Sequence, residues 1–124
     1  MAKILILDDE KDLAFTLEAL LEMEGHQVFT AEKGSEAQEM VKKNQIDAAI
    51  VDLHLPDMDG ITAMKAIKVI SPEIEVGIMS GDSSPDLEKT SYENGASWYF
   101  VKPADPKMII ETLEKLCLKK GDKK

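Results

Sequence analysis

With 124 residues the chain is sized for one domain, long enough to take about two-thirds of its unfolded surface out of water. Its apolar and charged fractions, 44% and 31%, suit a globular protein, and a formal net charge of −9 argues against nucleic acid or anionic membrane as a direct partner of this domain. The apolar runs are only strand-length, the N-terminus opens on a buried-strand pattern and no signal peptide, and a single Cys117 excludes an internal disulfide. Together these predict a cytoplasmic protein with no membrane contact.

Five strand patterns and five helix patterns then alternate. Lys3–Asp8 reads as a strand buried on both faces, because Ile4-Leu5-Ile6-Leu7 is a continuous apolar run. Asp9–Glu24 reads as a helix, with Leu13, Leu17, Leu20 and Leu21 at helical spacing and Gly25 as its stop. His26–Ala31 is a partly alternating second strand. Ser35 and Gln38 have capping-box spacing ahead of a helix bearing Ala37, Met40 and Val41. The third strand is the apolar run after Ile46, and it ends on Asp52. Leu55-Pro56 and Asp59-Gly60 turn the chain over that end, and the third helix runs from Ile61 until Ser71-Pro72 stops it. Glu75–Met79 is the fourth strand, followed by Ser80-Gly81. Ser84 and Pro85 open a short polar fourth helix that Asn94-Gly95 closes. Trp98–Val101 is the fifth strand, and Asp105-Pro106 caps a last helix with Ile109, Ile110, Leu113, Leu116 and Cys117 along its apolar stripe. Residues 1–118 form the domain, and 119–124 a polar tail expected to be disordered.

Strands separated by helices of this length imply right-handed βαβ units and a parallel sheet. The expected fold is α/β: a five-stranded, doubly wound sheet of flavodoxin-like order 2-1-3-4-5, with helices on both faces. That order sets the first and third strands side by side. Asp8, Asp9 and Asp52 then converge at the C-terminal edge, where open α/β sheets place their crevice, and Ser80 and Lys102 end the fourth and fifth strands at the same edge. Three carboxylates cannot all stay ionised there without a cation, and hard oxygen ligands with retained waters suit Mg²⁺. A metal-bound aspartate can act as a nucleophile, while a hydroxyl and an ammonium hold the remaining oxygens of a phosphoryl group.

Asp8-Asp9-Glu10, the stretch Asp52-Leu53-His54-Leu55-Pro56-Asp57-Met58-Asp59-Gly60, Met79-Ser80-Gly81, and the stretch from Gly95 to Lys102-Pro103 carry a resemblance that spans nearly the whole chain. It resembles the receiver domain of bacterial two-component response regulators. The resemblance implies that Asp52 accepts phosphate from a sensor histidine kinase or a phosphotransfer protein. Asp8 and Asp9 would position Mg²⁺ (or Mn²⁺), one of them through water, with the backbone carbonyl of His54 as a further ligand. Ser80 would bond the phosphoryl group and Lys102 would pair with one of its oxygens, on a backbone bent by a cis bond to Pro103. Tyr99 would change rotamer as Ser80 moves, and the surface of helix four, strand five and helix five would change its preference for an output domain or protein. A homodimer formed on phosphorylation belongs to the same set of partners. Such a protein is no ordinary enzyme, since it catalyses only its own phosphorylation and dephosphorylation. His54 and Asp82, two residues beyond Asp52 and Ser80, would flank the hydrolytic water and make the phosphoryl state short-lived.

Each residue also has a plainer reading. Isolated aspartates are most often caps, Ser80-Gly81 alone is a turn, Lys102 alone is a solvated lysine, and Tyr99 is a packing residue. Asp57-Met58-Asp59-Gly60 is similar to part of a calcium loop but lacks its other ligands, and it reads as a turn. Trp98 is expected to pack against the end of the last helix near Leu116, in preference to anchoring a partner. Ala104 stands where the family often has Phe, which should loosen the start of that helix. An alternative function is a receiver-like interaction module that works without phosphorylation, which the intact acid set disfavours. A flavodoxin would need a Ser/Thr/Gly-rich loop after the first strand. A haloacid-dehalogenase-like phosphatase would need its two aspartates two positions apart after the first strand, as D-x-D, and here Asp8 and Asp9 are adjacent.

Overall fold

The structure is a computed structural model that describes residues 2–81, 84–102 and 105–121, with the side chains of the last helix as far as residue 115. Its elements are β1 (Lys3–Leu7), α1 (Lys11–Met23), β2 (Gln27–Ala31), α2 (Gly34–Lys43), β3 (Ala48–Asp52), α3 (Gly60–Ile70), β4 (Glu75–Ser80), α4 (Pro85–Glu93), β5 (Trp98–Val101) and α5 (Pro106–Gly121). All strand pairs are parallel, in the expected order β2-β1-β3-β4-β5.

The continuous apolar runs of β1 and β3 are explained by two cores, one on each side of the sheet. Leu5, Leu7, Ala49, Val51, Val76 and Ile78 point to one face, where they meet Ala37 and Val41 of α2 and Ala63, Met64 and Ile67 of α3. Ile4, Ile6, Ala48, Ile50 and Met79 point to the other, against Leu17 and Leu21 of α1 and Ile109 and Leu113 of α5. Each such Leu or Ile contributes about 2 kcal/mol relative to exposure, so the two central strands form the rigid frame on which the edge residues hang. Two glycines record close approaches. A Cβ at Gly60 would lie 2.4 Å from the Asp52 carbonyl oxygen, so α3 can start hard against the end of β3. A Cβ at Gly77 would lie 1.8 Å from the Trp98 ring, which occupies that space on the face of α1 and α5. Trp98 is thus a packing residue, as expected, buried in the cluster that holds Ile109, Ile110 and Leu113. The Leu116 contact lies outside the described side chains.

Several boundaries differ from the sequence reading for identifiable reasons. α1 starts at Lys11, two residues later than expected, because Asp8 Oδ1 accepts the Glu10 N–H at 2.8 Å and holds the chain in a turn. The capping box on Ser35 and Gln38 does not form. The N-terminus of α2 is instead capped from another loop, by Asp57, which accepts from the Gly34 and Ser35 amides at 2.9 and 3.1 Å, while Glu36 reaches back to the Glu32 and Lys33 amides. β4 continues through Ser80, whose carbonyl accepts the Lys102 N–H at 2.7 Å. α5 runs to Gly121, into the stretch read as tail, and residues 122–124 lie outside the described chain. So do the Lys102–Pro103 cis bond, Ala104 and Asp82; the side chain of Cys117 is likewise outside.

Candidate functional site

The strand register builds the site. Leu7 pairs with Val51, so Asp8 and Asp52 follow side by side at the C-terminal edge, and both are buried. Ser80 pairs with Val101 at the ends of β4 and β5, which puts the fully buried Ser80 and the ammonium-bearing Lys102 at the same edge. Tyr99 faces the side of α2 and α3, half-buried against that core.

Lys102 is the cation of the cluster. Its Nζ lies 3.4 Å from Asp8 Oδ2 and 3.4 Å from Asp52 Oδ2, and it donates a short hydrogen bond to Glu10 Oε1. Burial lowers the ammonium's pKa, but the Glu10 bond and the charges of Asp8 and Asp52 outweigh burial and hold it above the ordinary lysine value. Asp8 is pushed up from 3.8 to about 6, chiefly because burial penalises its charge; the Glu10 amide opposes the rise, and repulsion from Asp52 adds to it. Asp8 Oδ2 is buried with no hydrogen-bond partner among the described residues. Asp52 Oδ1 has a long contact, 3.4 Å, from the His54 amide.

Asp8, Glu10 and Asp52 present carboxylate oxygens within 4.8 Å of one another. Three carboxylates and one ammonium leave two negative charges, which a divalent cation would balance, and the orphaned oxygen of Asp8 is a ready ligand for it. Asp8 and Asp52 offer hard carboxylate oxygens that fit a hard divalent cation such as Mg²⁺, while Glu10 is engaged by Lys102. Asp9, named from the sequence alongside Asp8, is exposed, and the third carboxylate gathered here belongs to Glu10. Glu10 stands in the Asp8-Asp9-Glu10 motif, in which only the two aspartates have an expected role. The signal available was spacing, since Glu10 lies two residues after Asp8, beyond the strand end. His54 is exposed at the mouth of the site.

The chain matches the response regulator receiver domain family over residues 4–114. It is 37% identical over 113 residues to sporulation initiation phosphotransferase F of Bacillus subtilis (strain 168), covering 91% of each chain. It is 30% identical to the transcriptional regulatory protein PrrA of Mycobacterium tuberculosis (strain ATCC 25618 / H37Rv), covering 96% of this chain but only 51% of that protein. Among solved structures it is similar to the beryllofluoride-activated NtrC4 receiver domain dimer, with a TM-score of 0.89, 28% identity, and coverage of 96% of this chain and 98% of that one.

Proposed function

The chain belongs to the response regulator receiver family, the phosphorylation-switched signalling domains of two-component systems, and we propose that Asp52 is its phosphoacceptor. The observation that carries this reading is the buried Asp52 carboxylate beside a buried Asp8 oxygen that lacks a hydrogen-bond partner among the described residues, with the Lys102 ammonium 3.4 Å from both. An Asp52 oxygen attacks the phosphorus of a phosphohistidine or a small acyl phosphate. A new O–P bond forms and the donor's P–N or P–O bond breaks, its electron pair leaving with the imidazole or the carboxylate. Asp8 and Asp52, with Asp9 and the backbone carbonyl of His54, would hold Mg²⁺ (or Mn²⁺). Bound there, the ion supplies neutralisation of charge on the transferred oxygens. Lys102 and the Ser80 hydroxyl hold the non-metal oxygens.

Receivers of this family work with histidine kinases or phosphotransfer proteins and with output domains. The name of the Bacillus relative, a phosphotransferase matched over 91% of its length, supports a phosphorelay role here. The output face is α4, β5 and α5, with Ser80 and Tyr99 as the switch pair, and the NtrC4 dimer supports a homodimer of the activated form. Reversal is hydrolysis: water attacks phosphorus, the Asp52 O–P bond breaks, and inorganic phosphate leaves. His54 and Asp82 tune this step by bonding the water. Replacing both with apolar side chains should slow phosphoryl loss without preventing phosphorylation.

With Mg²⁺ and acetyl phosphate, intact-mass measurement should find one added phosphoryl group on the wild-type chain and none on Asp52→Asn. Full, persistent labelling of Asp52→Asn would remove Asp52 from the role. Asp9→Ala should weaken Mg²⁺ binding.

A further inference from the structure

Lys102 carries three N–H donors and has two buried carboxylates for neighbours, yet it sits 3.4 Å from each, outside the usual 2.7–3.2 Å range. Among the described residues its one short side-chain bond goes outward, to Glu10, whose side chain is 58% exposed where that of Lys102 is 15% exposed. Asp8 Oδ2, 3.4 Å from Nζ, has no hydrogen-bond partner among the described residues. The backbone of Glu10 is held in place, because its N–H is bonded to Asp8 Oδ1 and it occupies the N-cap of α1.

We propose that Glu10 is a positioning residue that draws Lys102 to the rim of the site, so that a phosphoryl group on Asp52 competes with Glu10 for the ammonium and draws it inward in exchange for that bond. The proposal rests on Asp52 being the acceptor. The exchange is easy because the released Glu10 carboxylate returns to water it already largely faces. Glu10 thereby sets the affinity of the site for a phosphoryl-like anion, with Lys102 as the only route of its influence.

A double-mutant cycle tests this, using beryllofluoride at saturating Mg²⁺ as the probe, with Mg²⁺ affinity measured separately in its absence. Glu10→Gln should tighten beryllofluoride binding about two- to fivefold, the scale of a partly exposed ion pair, and leave Mg²⁺ affinity within about twofold. In a Lys102→Met background the same Glu10 change should give no gain, whereas a merely structural role for Glu10 would move both backgrounds alike. A gain of equal size without Lys102 means direct repulsion by Glu10 and overturns the proposal. So does a tenfold loss of Mg²⁺ affinity in Glu10→Gln, which would make Glu10 a metal ligand. Beryllofluoride binding that survives Asp52→Asn overturns the acceptor reading on its own, and this proposal with it.

Discussion

Asp8 is ionised at neutral pH against the resistance of its surroundings. Its folded pKa, about 6, exceeds the ordinary 3.8, so the folded state holds this proton more tightly than the unfolded chain does. The stability that Asp8 contributes is therefore fully present below pH about 4 and is lost as pH rises through about 6. In a chelator, thermal melts of the wild type should fall relative to those of Asp8→Asn across that interval, and Mg²⁺ should reverse the fall in the wild type alone. A constant difference between the two proteins from pH 4 to 7 would mean that Asp8 is not desolvated. The carboxylates of Asp8 and Asp52 were legible in the sequence because an apolar strand has no packing reason to end in an acid. Lys102 and Ser80 were legible because parallel strands end at one edge. The outward bond of Lys102 was not, because the rotamers of Glu10 and Lys102 are decided by contacts 92 residues apart in the chain.

The loop from His54 to Asp59 does more than turn. Asp59 caps α3, accepting from the Thr62 amide at 2.8 Å and its hydroxyl at 2.9 Å, and Asp57 caps α2 across the face of the domain. The Thr62 amide in one case and the Gly34 amide in the other hold these carboxyls below the ordinary range. Asp59→Ala should cost about 1 kcal/mol in denaturant unfolding. Asp57→Ala should speed amide exchange at Gly34 and Ser35 while leaving α3 unchanged; equal effects on both helices would mean general loosening. α4 stands at the opposite extreme. Its one buried residue is Ser91, whose hydroxyl bonds back to its own helix at Leu87, so little holds α4 to the sheet. Amide exchange should be faster in α4 than in α3, and beryllofluoride should alter it in α4 and around Tyr99 more than in α2. If α2 responds most, the switch surface is misplaced. The elements themselves were readable from periodicity. The cap of α2 was not, because it comes from a residue 22 or 23 positions downstream of the amides it satisfies.

The topology was the most legible feature of all, since five apolar runs separated by helix-length segments leave few ways to build one sheet. It makes the two strands that lead to Asp8 and Asp52 neighbours near its centre, and places Ser80 and Lys102 at the ends of the next two strands. The packing of Trp98 over Gly77 ties those outer strands together, and Gly77→Ala should destabilise the fold by about 1–3 kcal/mol, less in a background where Trp98 is replaced by Leu. Trp98 is also the only tryptophan in the chain, 6% exposed, with its indole N–H buried and without a partner among the described residues. An indole so enclosed emits at short wavelength and is out of reach of aqueous quenchers. It is flanked by Tyr99 on its own strand and lies over Gly77, three residues before Ser80. The protein thus carries a built-in optical probe of the seam between β4 and β5. Titration with beryllofluoride and Mg²⁺ should change the intensity of this emission without exposing it to iodide, whereas a red shift with new quenching would mean that the switch opens the seam itself.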